Sequence, residues 1–310
     1  DRRMPVLHTE EFKRQYRGGL GSPAGLCWLL AILATAILPF VLAFASGAFW
    51  LRLNAYSEQP SVRFKDRAIV AVGGTEPGST LAWTSFQSLN HLLEDRLLAP
   101  TFEVATEDEN LDGKPDAFRF FVSFPAQSQP IHSFRLMAFF HVSMNDRITL
   151  DMEGLAFFDC SSPAPGSRVY GDGRLVFVQR ELLFAGGSRS LYNTSLFDPS
   201  LVSGTEDITF EAILRQYNSR NETMQLENTV CLWQGGRSGR FQFEGVVRIP
   251  ESDVRYLPTG WEAFKFAWIQ YLAFLVVVGW IAFSLKGLLI QSHLLPTTVS
   301  SDTVPKLKQF

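Results

Sequence analysis

Two long apolar stretches, one near each end of the chain, decide the fold. Residues 24–45 read AGLCWLLAILATAILPFVLAFA, and residues 266–285 read FAWIQYLAFLVVVGWIAFSL. Neither contains Asp, Glu, Lys or Arg, and a helix formed by the first would rise about 33 Å, enough to cross a hydrocarbon core of about 30 Å. A buried helix of a soluble protein keeps a polar stripe, and both stretches lack one. The sequence therefore predicts transmembrane helices at residues 24–46 and 264–286.

The first stretch has an alternative interpretation as the core of a cleaved signal peptide, because a basic arm precedes it. Three features favour an uncleaved span. The stretch is longer than the usual signal core, the arm before it is long, and Pro39 lies inside it as in a kinked membrane helix. We therefore expect an uncleaved helix.

The distribution of Lys and Arg predicts the orientation, because short cytosolic flanks retain these residues. Arg2, Arg3, Lys13, Arg14 and Arg17 precede the first span, and Lys286, Lys306 and Lys308 lie at the end of the second span or after it. Both flanks, 1–23 and 287–310, are therefore predicted to be cytosolic, which places residues 47–263 outside. Arg52, Arg63, Lys65 and Arg67 oppose this orientation. They belong to a long domain, however, and long domains translocate largely regardless of charge.

The segment between the spans contains two motifs of the form Asn-x-Ser/Thr, which accept N-linked glycans in secreted domains. They begin at Asn193 and Asn221. Chance matches of this motif are common, but both agree with the charge-based orientation. We expect both asparagines to be glycosylated.

Cysteine is scarce, with Cys27 inside the first span and Cys160 and Cys231 between the spans. An oxidising compartment permits a disulfide between the last two. The alternative is a pair of buried free thiols, which behave as small apolar side chains.

Short segments rich in β-branched and aromatic residues dominate the region from Val62 to Arg255, separated by Gly, Pro, Asn and Asp. The candidate strands are Val62–Val72, Phe118–Phe124, Phe134–Met144, Ile148–Phe158, Arg174–Phe184 and Arg240–Ile249. Turn signals at Asn145-Asp146 and Gly171-Asp172-Gly173 favour antiparallel pairing. Helical spacing of apolar residues appears in Ser85–Leu98 and Glu206–Tyr217. The predicted fold is an α+β membrane protein, in which two transmembrane helices flank an extracellular antiparallel β-sandwich with one or two short helices.

An acidic loop between two candidate strands has the oxygen spacing of a calcium site. Its candidate ligands are Asp108, Asn110, Asp112, the carbonyl of Lys114, and Asp116. Arg119 stands where an EF-hand requires a bidentate Glu, so the loop is not an EF-hand. The alternative is a solvated acidic turn in which Asp and Asn bind local backbone donors. Ca²⁺ is the one cofactor that the sequence suggests.

Enzyme signatures are absent from the sequence: no G-x-S-x-G, H-E-x-x-H or phosphate-binding glycine loop occurs. His132 and His141 lie in or beside candidate strands and are expected to be structural. The apolar stretches 24–45 and 266–285 contain no Asp, Glu, Lys, Arg or His, which argues against a proton or ion pathway within them. With a net charge of −3, we expect neither a nucleic acid nor a small-molecule substrate.

Side chains at the ends of the spans are candidates for contacts with the membrane or with partner helices. These are Trp50, Trp261, Trp268, Gln270 and Tyr271. Tryptophan and tyrosine favour the membrane interface, and a Gln in a span can donate a hydrogen bond to a neighbouring helix.

The segments that flank the spans resemble those of the transmembrane protein 231 family. The resemblance lies in FWLR at Phe49–Arg52, YSEQPSVRF at Tyr56–Phe64 and WEAFKFAWIQY at Trp261–Tyr271. It continues through the Asp108–Asp116 loop, Pro165-Gly166-Ser167 and Tyr192-Asn193, in the same order, and covers nearly the whole chain. The cytosolic tail and the two cysteines between the spans depart from the family pattern.

The resemblance implies a non-enzymatic subunit of the tectonic-like (Meckel syndrome) complex in the ciliary membrane at the transition zone. Its implied partners are the lipid bilayer and the other membrane and peripheral subunits of that complex. Its implied roles are in the membrane diffusion barrier, ciliary membrane composition, cilium assembly and Hedgehog signalling. A cell-surface ligand-binding or adhesion module with a calcium-stabilised β-domain is the alternative function, and an unrecognised membrane enzyme is a third.

Overall fold

The computed structural model describes residues 14–19, 21–47, 49–75, 79–126, 130–197, 210–236, 239–292 and 294–301. The chain forms two compact units. One is Leu53–Pro258, and the other combines the segments before and after it.

Along the chain, one long helix precedes the β-rich region and another follows it. The helices are α1 (Pro23–Ala45), α2 (Gln87–Leu93), α3 (Phe210–Asn218), α4 (Gly260–Phe264) and α5 (Ala267–Gln291), with a 3₁₀ turn at Glu94–Arg96. The strands are β1 (Arg14–Arg17), β2 (Asn54–Glu58), β3 (Ser61–Gly73), β4 (Leu81–Thr84), β5 (Thr101–Glu107), β6 (Ala117–Pro125), β7 (Ser133–Met144), β8 (Thr149–Ser161), β9 (Gly166–Gln179), β10 (Leu183–Phe184), β11 (Ser188–Arg189), β12 (Glu222–Gly235), β13 (Arg240–Arg248), β14 (Ser252–Leu257) and β15 (Thr298–Ser301).

The helical unit consists of α1 and α5 packed side by side, with β1 and β15 paired antiparallel. Helix α1 begins at Pro23. The preceding residue, Ser22, caps the helix, because its Oγ accepts a hydrogen bond from the Gly25 amide at 3.2 Å. Only 11% of the most apolar window of each long helix is buried. A core helix of a soluble protein would be mostly buried, so this exposed apolar surface is typical of membrane spans.

The second span differs in its bounds from the prediction of 264–286. The short helix α4 precedes α5, and a turn at Lys265–Phe266 separates the two helices. Helix α5 continues past Lys286 to Gln291, because the residues that follow Lys286 are again apolar. The β-rich unit, Leu53–Pro258, lies inside the predicted 47–263.

The β-rich unit is built on two five-stranded sheets, in the orders β11-β8-β7-β3-β4 and β12-β9-β13-β6-β5. A smaller sheet has the order β10-β14-β2. Most pairs are antiparallel, as predicted, but β13 pairs with β9 in parallel, as do β10 with β14 and β11 with β8. The prediction of two membrane helices flanking a mostly antiparallel β-domain with short helices is confirmed.

Phenylalanine fills the core between the two five-stranded sheets. Phe134 of one sheet stacks on Phe243 of the other with ring centroids 4.2 Å apart, and Phe158 contacts Phe243 edge-on at 5.6 Å. A second apolar cluster covers the opposite face of the first sheet, where helices α2 and α3 bring Leu89 and Ile213 onto Met137. This sheet is therefore buried on both faces, which explains the nearly continuous apolar pattern of β7 and β8.

The strand predicted at Arg174–Phe184 covers the end of β9 and all of β10, but the turn predicted before it is wrong. Gly171-Asp172-Gly173 was expected to form a turn, but the three residues lie in the middle of the strand. A Cβ on Gly171 would lie 3.0 Å from the Phe158 ring, and one on Gly173 would lie 2.8 Å from Leu226. The glycines therefore make room for core side chains that come from distant parts of the chain.

Other differences concern short elements. The helix predicted at Ser85–Leu98 is shorter, since α2 ends at Leu93 and a 3₁₀ turn follows. The helix predicted at Glu206–Tyr217 corresponds to α3, and its first residues, 206–209, lie outside the described residues. Eight strands were not predicted: β1, β2, β4, β5, β11, β12, β14 and β15. The Asn145-Asp146 turn is present, and both of its amides donate to the Glu58 carboxylate at 2.9 and 3.2 Å.

Candidate functional site

The two spans contact each other through small and polar residues. Gly279 faces Thr35 of α1, and a Cβ on Gly279 would lie 3.6 Å from Thr35 Cγ2, in ordinary van der Waals contact. Tyr271 Oη donates to the Ala36 carbonyl at 3.3 Å, and Ser46 Oγ donates to Gln270 Oε1 at 3.4 Å. These bonds stabilise the pair from within the chain.

The five side chains predicted to contact membrane or partners divide into two groups. Gln270 and Tyr271 bind the chain's own first span, and the Trp50 ring packs on Phe264 with centroids 4.7 Å apart. These three are therefore engaged within the chain. Trp261 and Trp268 are exposed, at 91% and 59%, and are free to contact lipid or a partner.

The acidic loop folds on itself through its own backbone amides. The carboxylate of Asp108 accepts from the Gly113 amide at 3.0 Å, and that of Asp112 accepts from the Lys114 amide at 2.7 Å. Asn110 Oδ1 accepts from the amide of Asp112 at 3.0 Å. This is the pattern of a solvated acidic turn.

The last acidic residue of the loop, Asp116, accepts hydrogen bonds both from loop amides and from Gln59 outside the loop. A hydrogen bond from Gln59 Nε2 at 2.9 Å, and then one from the Glu109 amide, hold the pKa of Asp116 below its ordinary value. Within the residues described, no group of three or more His, Cys, Asp or Glu side chains is arranged to hold a metal ion. The candidate set also includes the oxygens of Asn110 and of the Lys114 carbonyl, and calcium binding by the loop stays a prediction.

The two sequons lie near each other. Asn193 is exposed, and the hydroxyl of its neighbour Tyr192 accepts a hydrogen bond from the Asn221 amide at 3.2 Å. Asn221 is half-buried, and Thr223 of the same sequon is 4% exposed in β12. Glycans at both sites would therefore occupy one region of the domain surface, and Asn193 is the more accessible acceptor.

A buried polar network holds the loop that carries Asn193. Glu153 is buried in β8, where its amide donates to the Tyr192 carbonyl at 2.8 Å and its carboxylate accepts from the Leu196 amide. Lys65 Nζ lies 3.0 Å from the same carboxylate. Arg220 completes the network by donating to the carbonyls of Glu153 and Tyr192 at 3.3 and 3.4 Å. A buried carboxylate needs such partners to remain stable.

Tyr217 is the second buried polar side chain beside this loop. Its hydroxyl accepts from the amides of Leu155 and Met224 at 3.2 and 2.6 Å and donates to the Met224 carbonyl at 2.8 Å. Burial raises the pKa of Tyr217, so its hydroxyl stays protonated and can donate. The sequence pattern placed Tyr217 on the apolar face of the helix predicted at Glu206–Tyr217. It did not identify Glu153 or Arg220, because charged residues usually face water.

Cys160 and Cys231 form a disulfide. Cys160 lies in β8 of one five-stranded sheet and Cys231 in β12 of the other, so the bond links the two layers of the sandwich.

Neither histidine singled out in the sequence belongs to a metal group: His132 Nδ1 lies 3.2 Å from the Ser162 carbonyl oxygen, and His141 Nε2 lies 3.9 Å from Asp151.

Strand β12 is an edge strand, with β9 as its one neighbour among the described strands of that sheet. The second half of β12 is largely exposed, and Val230 and Leu232 are 50% and 60% exposed. They lie opposite Asp172 and Tyr170 of β9. An exposed apolar edge of this kind is a ready place for another chain to pair.

Comparison with known proteins gives a match over nearly the whole chain. The family described as Transmembrane protein 231 matches residues 3–299. This chain belongs to that family. The chicken transmembrane protein 231 is 36% identical over 309 residues, which cover 97% of this chain and 93% of the relative. The human protein is 34% identical over 308 residues, covering 97% and 96%, and the Xenopus tropicalis protein is 36% identical over 298 residues, covering 94% of each.

Membership of the transmembrane protein 231 family agrees with a membrane protein that has two candidate spans. The name shared by the relatives describes a transmembrane protein and no enzymatic activity. A cryo-EM structure of a proton-activated chloride channel aligns over 86% of this chain and 98% of that chain, with 10% identity and a TM-score of 0.28. A TM-score this low does not establish a shared fold.

Proposed function

We propose that this member of the transmembrane protein 231 family is a non-enzymatic subunit of the tectonic-like complex at the ciliary transition zone. There it contributes to the membrane diffusion barrier, and thereby to ciliary membrane composition, cilium assembly and Hedgehog signalling. Both flanks of the spans face the cytosol, and the β-sandwich faces outside. The observation that carries the proposal is the family match over residues 3–299, which includes both spans and the whole β-domain.

The architecture supports an assembly role. Two spans tether the ends of one domain, and two polar side chains buried in that domain, Glu153 and Tyr217, bind backbone groups of its loops and strands. Catalytic groups are instead expected to converge on an open cleft. A domain whose buried polar groups stabilise its own fold, and whose two ends are each joined to a span, suits a scaffold.

The exposed part of β12 is the surface that we assign to a partner subunit. Val230 and Leu232 supply apolar contacts, and the backbone of this edge, which no second described strand covers, supplies hydrogen bonds to an added strand. The glycan acceptor Asn193 lies in the loop bound by Glu153, and the acceptor Asn221 precedes the first half of β12, whereas Val230 and Leu232 lie in its second half.

The proposal is tested by the location of the chain in ciliated cells. A tag on the cytosolic tail should form a focus at the base of the cilium, and the other subunits should co-purify from crosslinked membranes. An antibody to the β-domain should label intact cells without permeabilisation. A chain spread evenly over the plasma membrane, with no co-purified subunits, would refute the proposal.

A pair of matched variants tests the assigned surface. Leu232→Lys places a charge on the exposed edge of β12 and should reduce co-purification at least about fivefold, because charged side chains on an edge oppose strand pairing. Leu191→Lys changes a Leu of similar exposure, 69%, beside Asn193 and should have no effect. Equal co-purification of the two variants would exclude this edge as the partner surface.

A further inference from the structure

An apolar groove of about 340 Å³ runs along the seam between α1 and α5. Alanines of both helices line it, Ala31 and Ala34 from α1 and Ala282 from α5, and their small side chains leave space between the two backbones. The volume lies within the range of sites that bind small apolar ligands.

The groove is about as deep as one leaflet of a bilayer. Its lining runs from Cys27 to Leu38 on α1 and from Val278 to Leu289 on α5. Eleven residues of helix rise about 16 Å, close to half of a hydrocarbon core of about 30 Å. A third transmembrane helix would pack along the whole span, whereas a phospholipid acyl chain fills one leaflet. The length of the groove therefore favours an acyl chain.

A positive charge lies near the end of the groove. Lys286 lines it and is the one Lys or Arg in α5. Among the described residues, no carboxylate pairs with Lys286, whose Nζ lies 4.6 Å from the centre of the Phe283 ring. With the flanks in the cytosol, Lys286 faces the leaflet that is rich in anionic lipids, and each cation there gains about 1 kcal/mol from them.

We propose that this groove binds one acyl chain of an anionic phospholipid, with the lipid phosphate paired to Lys286. The choice of the cytosolic leaflet rests on the orientation proposed above, but binding by the purified chain does not. The lipid would fill the seam between the spans and fix their spacing on one side.

The test uses the purified full chain in nanodiscs of phosphatidylcholine mixed with phosphatidylserine, read by native mass spectrometry of retained lipid. The wild type should retain one phospholipid, with about a fivefold preference for phosphatidylserine. Ala34→Leu combined with Ala282→Leu fills the groove and should abolish retention. Ala273→Leu makes the same change on an exposed part of α5 outside the groove and should leave retention intact.

The role of the charge is tested separately. Lys286→Gln should still retain one lipid but lose the preference for phosphatidylserine, and Lys286→Arg should keep that preference. Equal retention by the groove-filling pair and by Ala273→Leu would overturn the proposal. A lipid-free dimer that the groove-filling pair disrupts would show that a second copy occupies the seam, and would also overturn it. These readouts need no other subunit, so they fail or succeed independently of the ciliary assignment.

Discussion

Removing the disulfide between Cys160 and Cys231 should destabilise the β-domain without changing its fold. The bond joins β8 and β12, which belong to different sheets, and its partners are separated by 71 residues in sequence. The cross-link therefore removes a large loop from the unfolded ensemble. The core around the bond remains apolar without it, since Phe134 lies opposite Cys160 in the sheet. We expect the folded state to survive.

The size of the effect follows from the length of that loop. On the chain-entropy account, closing a loop of 71 residues stabilises the folded state by about 4 kcal/mol. For a domain of this size, 1 kcal/mol changes the melting temperature by about 2 to 4 °C, so the loss should lower it by about 8 to 16 °C.

The assay is thermal unfolding of the full chain in detergent, followed by circular dichroism in the β-sheet band. The Cys160→Ala/Cys231→Ala double variant is compared with the wild type and with the wild type reduced by dithiothreitol, which separates loss of the cross-link from loss of sulfur packing. Cys27→Ala, in the first span, should melt like the wild type. If the double variant melted within about 2 °C of the wild type, the entropic argument would be refuted.

Four further predictions follow from other parts of the molecule. Calcium uptake by the acidic loop should be weak, in the millimolar range, because the ion must displace amides from the loop carboxylates; calorimetry should show heat that Asp112→Ala removes, and equal heats would leave a plain acidic turn. Burial, and then a neighbouring carboxylate, raise the pKa of Tyr56 from 10.0 to about 12. The protonated Tyr56 hydroxyl therefore contributes fully to stability below pH 10, and this contribution is lost as pH rises from about 10 to about 12. Denaturation midpoints should fall across that window, and less steeply in Tyr56→Phe. Glycosidase treatment should raise gel mobility in two steps that Asn193→Gln and Asn221→Gln remove singly; no shift at all, with the domain cut by protease from the cytosolic side, would contradict the orientation. Val277→Arg should cost about 2.5 to 3.5 kcal/mol of insertion and abolish co-purification with the complex, whereas Val277→Leu should not; normal co-purification of the Arg variant would show that the second span is dispensable for assembly.

Some features were predictable because they depend on neighbours in the sequence. A span is recognised by a run of apolar residues without charge, as in residues 24–45. This run is sufficient evidence because crossing the hydrocarbon core depends on the length and apolarity of one continuous segment. Alternating residues likewise predicted strand β6, from Phe118 to Phe124, because one face of it is buried. The resemblance to the transmembrane protein 231 family also depends on local segments, and the match over residues 3–299 bears it out.

The remaining features depend on which distant segments meet, and local pattern carries no such information. Gly171 and Gly173 look like turn residues until Phe158 and Leu226 are placed against them. Glu153 looks like a solvent-facing charge until Lys65 and the Leu196 amide surround it.

By itself, the sequence determined the two membrane helices, the β-rich character of the domain between them and the family. The tertiary structure alone decided that β9 lies between β12 and β13, that Cys160 meets Cys231, and that small residues open a groove between the spans. The physical reason is that hydrophobic and conformational preferences act within a few residues along the chain. Pairing and packing are settled by contacts between residues far apart in sequence, which form only when the whole core closes.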